Sequence, residues 1–121
     1  MRNLIFILIL TTFISCGESQ MSSAETAETV VESFYQKQNS DLKKYTTSES
    51  YESFLSVQEL FTQENNVKES NFKLIRDSII GNNAWVKFTT IYEKKPETFK
   101  LVKEENMWKV TESGMGEKAP F

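Results

Sequence analysis

FKLVKEENMWKV, residues 99–110, decides the fold, because it has the pattern of an antiparallel β-hairpin. Phe99 and Leu101 stand two residues apart before Glu105-Asn106, and Trp108 and Val110 stand two residues apart after it. A period of two is typical of strands that bury one face, and a short polar turn joins antiparallel neighbours. The stretch therefore predicts strands over residues 98–104 and 107–112 that share one apolar face.

The same pattern extends upstream of this hairpin. Residues 71–80 have β character. In residues 84–93, alternate side chains belong to opposite faces of a strand, and Ala84, Val86 and Phe88 share one of these faces. Gly81-Asn82-Asn83 and Lys94-Lys95-Pro96-Glu97 have turn-forming composition and are the expected connections. The second half of the chain therefore predicts an antiparallel meander, and its core-facing side chains are expected to be Val86, Phe88, Phe99, Leu101, Trp108 and Val110.

The first half of the chain has helical periodicity instead. Ser22 and Glu25 fit a capping box, and a helix is expected over residues 24–38. Asp41 is expected to cap a short turn over residues 42–45. A second amphipathic helix is expected over residues 48–63, with its apolar face formed by Tyr51, Phe54, Leu55, Gln58 and Phe61, and with Leu60 beside them.

Helices followed by a meander predict an α+β fold, in which N-terminal helices pack on a curved antiparallel sheet of about four strands. The domain is expected to span residues 24–112. Residues 113–121, which contain two glycines and a proline, are expected to form a flexible tail.

The N-terminus has the features of a secretion signal. Arg2 precedes an apolar run over residues 4–14, which is too short for a transmembrane helix of about 20 residues. Ser15-Cys16-Gly17 follows this run, and Cys16 is the single cysteine of the chain. The motif resembles a lipobox, although Phe13 stands where leucine is commonest. We expect residues 1–15 to be a lipoprotein signal peptide, Cys16 to be acylated, and residues 16–23 to be a tether.

Two other interpretations of this segment stay open, an ordinary secretory signal with a chance cysteine and an uncleaved anchor. Acylation of Cys16 would place the protein in the cell envelope, anchored in the lipid bilayer. Gly17 rather than aspartate after the cysteine favours, by analogy with lipoprotein sorting, the outer membrane of a Gram-negative bacterium, with the domain facing the periplasm or the cell surface.

Composition excludes several classes of function. The 121 residues include 14 Lys and Arg and 17 Asp and Glu, and the basic residues form no cluster, which argues against nucleic-acid binding. Histidine is absent and Cys16 is assigned to lipid, so zinc, iron and copper sites are not expected. Gly81 is isolated and forms no phosphate loop. Glu25, Glu28 and Glu32 share one helical face, and we interpret them as solvated residues rather than as a cation site. No cofactor is expected.

Four segments together resemble small bacterial lipoproteins of the nuclear-transport-factor-2-like, cystatin-like superfamily, many of which are domains of unknown function. They are VVESFY (residues 30–35), SDLKKY (40–45), NAWVKF (83–88) and the closing hairpin at 99–110. The resemblance covers residues 24–112. It implies a cone-shaped cavity between helices and sheet, and it implies no catalytic residue, because none of the superfamily's acids or bases can be matched to a position here.

Two sets of residues are candidates for binding. The side chains expected to line a pocket are Phe34, Tyr35, Tyr51, Phe88, Tyr92 and Trp108, because phenol groups can donate a hydrogen bond from an apolar wall. The outer sheet face carries Trp85, Ile91, Val102 and Met107 among several lysines. This face is equally typical of the solvent side of a sheet and of a protein–protein patch or homodimer surface.

The sequence therefore favours a non-enzymatic, membrane-tethered binding or interaction module. Its partner would be a small ligand in the cavity or an envelope protein on the face around Trp85. Two alternatives stay open. One is an immunity or inhibitor lipoprotein directed against an envelope toxin or hydrolase, and the other is a cavity enzyme that uses Asp77 and a tyrosine.

Overall fold

Helices precede strands in the folded chain, as predicted. The computed structural model describes residues 20–62, 69–113 and 119–121. Within these ranges the helices are α1 (Ser23–Tyr35), α2 (Asn39–Lys44) and α3 (Ser48–Thr62). The strands are β1 (Lys73–Ile80), β2 (Asn83–Thr90), β3 (Glu93–Glu104) and β4 (Met107–Ser113), and they form one antiparallel sheet in the order β1-β2-β3-β4. The α+β prediction is confirmed.

Backbone conformation explains two of the three hairpin turns. Gly81 has φ +63° at the first central position of the β1–β2 turn, a conformation that glycine adopts without steric cost. Glu105 and Asn106 both have positive φ, at 51° and 65°, as a two-residue turn with the twist of the strands requires. The prediction of a turn at Glu105-Asn106 is therefore confirmed.

The turn predicted at residues 94–97 is wrong. The β2–β3 turn lies at Ile91-Tyr92, and Glu93 already begins β3. The Ile91 N–H donates to the Ser70 carbonyl over 2.9 Å, and the Tyr92 N–H donates to Thr90 Oγ1 over 3.1 Å. Pro96 is compatible with this strand because β3 pairs with β4 only from Phe99 onward. On that side, the earlier residues of β3 have no partner strand among the described residues, so the missing N–H of proline breaks no ladder there.

The start of α1 follows local capping chemistry. The Glu25 N–H donates to Ser22 Oγ over 3.1 Å, and the Ser22 N–H donates to Glu25 Oε1 over 3.2 Å, so the predicted capping box is confirmed. The first helix ends at Tyr35, earlier than predicted. The prediction that Asp41 caps the short second helix is wrong, because α2 begins at Asn39 and Asp41 lies within its first turn.

The helices pack on one face of the sheet. All six side chains predicted to face the helices, Val86, Phe88, Phe99, Leu101, Trp108 and Val110, belong to the hydrophobic core. Ala27, Val30, Val31 and Phe34 of α1 and Leu42 of α2 complete its buried part. Gln58 of α3 is also buried, and its Nε2 donates to the Phe34 carbonyl and to Asn39 Oδ1, both over 2.9 Å. This one amide therefore connects all three helices.

The two edges of the sheet differ. At the β4 edge, the Val110 N–H donates to the Tyr45 carbonyl over 2.8 Å, and the Thr47 N–H donates to the Val110 carbonyl over 3.0 Å. At the other edge, β1 has no further strand beside it within the described residues. Four of its apolar side chains, Leu74, Ile75, Ile79 and Ile80, are between 46% and 57% exposed.

The expected signal peptide and Cys16 lie outside the described residues, as do residues 17–19 of the expected tether. Among the helices that the structure describes, none has the length and apolar character needed to cross a membrane. In the expected tail, Phe121 returns to the sheet, where the Arg76 guanidinium lies 4.9 Å from its ring centroid.

Candidate functional site

A cavity of about 420 Å³ lies between α1, α3 and the helix-facing side of β3. Its size is within the range of small-molecule sites, which are about 300–1,000 Å³. Most of its lining is aliphatic or aromatic. The lining residues are Val30, Val31, Phe34, Tyr35, Ser50, Ser53, Phe54, Val57, Phe61, Glu93, Glu97, Phe99 and Thr111.

Helical spacing brings the aromatic part of the wall together. Phe54 and Phe61 lie two turns apart on α3, and both face Phe34 of α1. The Phe34 ring centroid lies 5.6 Å from that of Phe54 and 6.3 Å from that of Phe61. Phe54 also contacts Phe99 of β3 edge-on, with ring centroids 6.2 Å apart. Because Phe61 is 53% exposed, the cavity reaches the surface beside it.

The hydroxyl groups of Thr47 and Ser50 connect the start of α3 to the sheet beneath the cavity. The Ser50 hydroxyl donates to the Thr111 carbonyl of β4, and the Thr47 hydroxyl donates to Ser50 Oγ over 2.9 Å. Ser50 is buried, and both Ser50 and Thr111 line the cavity. These bonds satisfy polar groups at an otherwise apolar wall and hold α3 at a fixed height above the sheet.

Glu93 and Glu97 form the acidic end of the cavity. They lie four residues apart on β3, so the period of two places both side chains on the helix-facing side of the sheet. Glu97 is opposite Phe88 of β2, a fully buried residue. Burial, with a smaller contribution from the Glu93 carboxylate, raises the pKa of Glu97 from 4.5 to about 7. Glu97 therefore exchanges its proton near neutral pH.

Tyr35 closes this end from the side of α1. Its ring stacks on that of Tyr92, with centroids 3.8 Å apart and planes inclined by 13°. Burial, and then the nearby Glu97 and Glu93 carboxylates, raise the pKa of Tyr35 well above its ordinary value. The phenol therefore stays neutral at physiological pH and can donate a hydrogen bond to a ligand.

The chemistry available here suits binding. The apolar wall can hold a hydrophobic body, and Glu93, Glu97 and Tyr35 can orient a polar group at one end. Across the described ranges, no cluster of His, Cys, Asp or Glu has the geometry to hold a metal ion. Asp77, the carboxylate of the enzyme alternative, is exposed on the edge strand β1 and is not a lining residue.

The residues proposed to line a pocket are placed in three different environments. Phe34 and Tyr35 line the cavity, and Tyr92 supports it by stacking on Tyr35. Phe88 and Trp108 are buried in the core, at 0% and 7% exposure, and neither is a lining residue. Tyr51 is half-buried and packs against the core beside the cavity.

The residues of the proposed interaction face are less exposed than their sequence positions indicate. Trp85 is only 9% exposed, and the Lys100 ammonium lies 5.8 Å from its ring centroid. Its Nε1 is buried without a hydrogen-bond acceptor in the described part of the chain. Val102 and Met107 are half-buried, and Ile91, at 49% exposure, lies in the β2–β3 turn. Trp85 therefore offers little area to a partner.

Sequence reasoning missed Glu93 and Glu97 as site residues. The cause is the misplaced turn, because residues assigned to a polar connection are expected to point into solvent. Strand alternation over Glu93, Lys95, Glu97 and Phe99 was the available signal, since it continues the core-facing positions of β3 toward the N-terminus.

Comparison with known proteins supports the α+β fold and identifies no ligand. No protein-family model matches the chain, and no curated protein matches it. The chain is similar to the solution structure of a SEC-C motif containing protein from Rhodopseudomonas palustris, with a TM-score of 0.58 and 16% sequence identity. The match covers 80% of this chain and 83% of that protein. At this identity the similarity shows a shared α+β architecture only.

Proposed function

We propose that this protein is a membrane-tethered binding module of the cell envelope that holds a small, largely apolar ligand in the cavity between α1, α3 and β3. The observation that carries the proposal is the cavity itself, about 420 Å³ with walls of valine and phenylalanine and polar groups at one end. Such a combination is typical of a ligand site rather than of a packing defect.

The anchoring and the family are part of the same proposal. We infer lipidation at Cys16 from the short apolar run that ends in Ser15-Cys16-Gly17. We also infer membership of the nuclear-transport-factor-2-like superfamily, which the sequence resemblance and the order of helices and strands support. The cavity lies between helices and sheet, where the resemblance predicts one.

Filling the cavity tests the proposal. Val57 lines it from α3, and Val57→Trp would occupy its volume. We expect the substitution to weaken binding of N-phenyl-1-naphthylamine, a neutral apolar dye that fluoresces when it leaves water, by roughly tenfold or more. The measurement is a dye titration of the protein purified as the cell produces it, with all variants in the same medium.

Ser56→Trp is the matched control, because Ser56 is the neighbouring residue on α3 and is exposed. It should bind the dye as the unmodified protein does. If Val57→Trp does not fold, Ser53→Phe at the rim of the cavity replaces it. Equal dye affinity in the unmodified protein and in a folded cavity-filling variant, or no saturable binding at all, would contradict the proposed function.

A further inference from the structure

The acidic end of the cavity carries charge that no described residue neutralises. Two ion pairs within the described ranges, Lys37–Glu59 over 3.0 Å and Lys109–Glu104 over 3.7 Å, involve neither Glu93 nor Glu97. Among the described residues, no lysine or arginine lines the cavity. Lys95 lies between Glu93 and Glu97 on β3, yet it is exposed and is not a lining residue. A half-buried carboxylate without a cation is unfavourable, so this end of the cavity favours a positively charged group.

Aromatic rings adjoin these carboxylates. Tyr35 interacts electrostatically with both glutamates and contacts Phe34 edge-on, with ring centroids 5.0 Å apart. Phe34 in turn contacts Phe54, so a series of rings extends from the acidic end into the cavity. Ring faces attract cations, and they attract weakly hydrated organic cations without requiring a rigid hydrogen-bond geometry. The carboxylates and rings therefore select the same chemical class.

We propose that the cavity binds an organic cation, an apolar body that carries a protonated or quaternary amine, with the amine at Glu93 and Glu97 and the body among Phe34, Phe54 and Phe99. This inference rests on the proposed function, because it assigns the ligand class of the same cavity. A neutral ligand with a hydroxyl group is the competing class.

Protonation of Glu97 makes binding depend on pH. The titratable groups that interact with Glu97 are Glu93 on its own strand and Tyr35 on α1, and Tyr92 of the β2–β3 turn stacks on Tyr35. Among the described side chains, α3 and β4 contribute no titratable lining residue. Burial raises the pKa of both tyrosines, so both stay neutral below pH 8. Loss of the Glu97 proton as the pH rises from 6 to 8 therefore increases the negative charge and strengthens binding of a cation.

A pair of probes of equal shape tests the charge alone. One is 3-phenylpropyltrimethylammonium, and the other is its neutral carbon analogue, 4,4-dimethylpentylbenzene. Both are titrated against the dye-loaded protein, and their displacement constants are compared at pH 6 and pH 8. We expect the cation to bind about tenfold more tightly than the analogue at pH 8, and we expect most of this preference to disappear at pH 6.

Glu97→Gln locates the effect. It keeps the shape of the side chain and removes its charge, so it should abolish most of the cation preference and its pH dependence while leaving the affinity of the neutral analogue within about twofold. Glu52→Gln, at an exposed position of α3, is the matched control and should behave as the unmodified protein does. If Glu97→Gln does not fold, Glu93→Gln replaces it. The comparison of the two probes on the unmodified protein still tests whether the cavity prefers a cation.

The outcomes separate the two proposals. Saturable binding of both probes with equal affinity at pH 8 would overturn the organic-cation assignment and leave the binding function in place. Tighter binding of the cation that Val57→Trp abolishes and Glu97→Gln reduces would support both. If Val57→Trp weakens the binding of neither the dye nor the probes, both the proposed binding function and this inference are wrong.

Discussion

Glu97 illustrates how a single side chain can serve a site at the expense of stability. Its carboxylate is opposite buried Phe88 and beside Glu93, and burial raises its pKa to about 7. Between pH 4.5 and pH 7 the folded protein therefore holds a proton that the unfolded chain has released. The contribution of Glu97 to stability therefore falls as the pH rises through this interval, because at this side chain the folded state binds more protons than the unfolded state does.

Glu97→Gln should remove this pH dependence. Glutamine does not titrate, so the free energy of unfolding of the variant should rise relative to that of the unmodified protein by about 1–2 kcal/mol between pH 5 and pH 8, after allowance for partial exposure. Denaturant unfolding at both pH values, followed by tryptophan fluorescence, measures the difference. Glu52→Gln should show a constant difference from the unmodified protein. Parallel pH profiles of Glu97→Gln and the unmodified protein would contradict the raised pKa.

At the scale of elements, Gln58 holds the three helices together. Its side chain is 4% exposed, and Nε2 donates to the last turn of α1 at the Phe34 carbonyl and to the first residue of α2 at Asn39 Oδ1. Carbonyl groups at a helix end lack a partner within the helix. The Phe34 carbonyl accepts from the Lys37 N–H over 3.4 Å and, over a shorter 2.9 Å, from the Gln58 amide. The positions of α1 and α3 on either side of the cavity depend on this contact.

Gln58→Met keeps the length of the side chain and removes both hydrogen bonds. We expect it to lower the free energy of unfolding by about 1–2 kcal/mol, because the Phe34 carbonyl keeps only its longer bond from Lys37 and the half-buried Asn39 Oδ1 loses its Gln58 donor. Glu59→Gln is the comparison, since it breaks only the exposed ion pair with Lys37 and should cost less than about 1 kcal/mol. Denaturant unfolding measures both, and equal losses in the two variants would show that the Gln58 amide has no special role.

Local chemistry explains which elements could be predicted. The capping box at Ser22 and Glu25, the glycine at position 81 and the Glu105-Asn106 turn each depend on contacts within a few residues. The Ile91-Tyr92 turn does not, because both residues favour strands and a hydrogen bond to the distant Ser70 carbonyl helps to hold the turn. The cavity depends on that turn, since it places Glu93 and Glu97 on β3 rather than in a loop. A misplaced turn therefore hides the acidic end, although the strand alternation that continues from Phe99 toward Glu93 indicates it.

For the whole molecule, the proposed membrane anchor at Cys16 would decide where the cavity can operate. The expected tether of residues 16–23 is short, so the domain would stay close to the lipid surface. Two acyl chains give stable attachment, whereas a single chain gives marginal attachment.

Cys16→Ser should abolish lipid attachment. Cells grown with a labelled fatty acid should incorporate the label into the unmodified protein and into Ser15→Ala, which keeps a small residue before the cysteine, but not into Cys16→Ser. Gel fluorography of the immunoprecipitated chains measures the label, and we expect essentially complete loss, because the thioether needs the thiol. Label in Cys16→Ser, or none in the unmodified protein, would contradict the lipoprotein proposal.

The unequal edges of the sheet limit how copies of this domain can join through their strands. Tyr45 and Thr47 already occupy the hydrogen-bonding groups of Val110 on β4, whereas β1 is open within the described residues. Two copies that join through β1 would form a symmetric pair, and Tyr45 and Thr47 would block strand addition at Val110 on each outer β4 edge. Growth into a fibril needs two complementary edges on every copy, and the hydrogen bonds of Val110 restrict strand addition along β4.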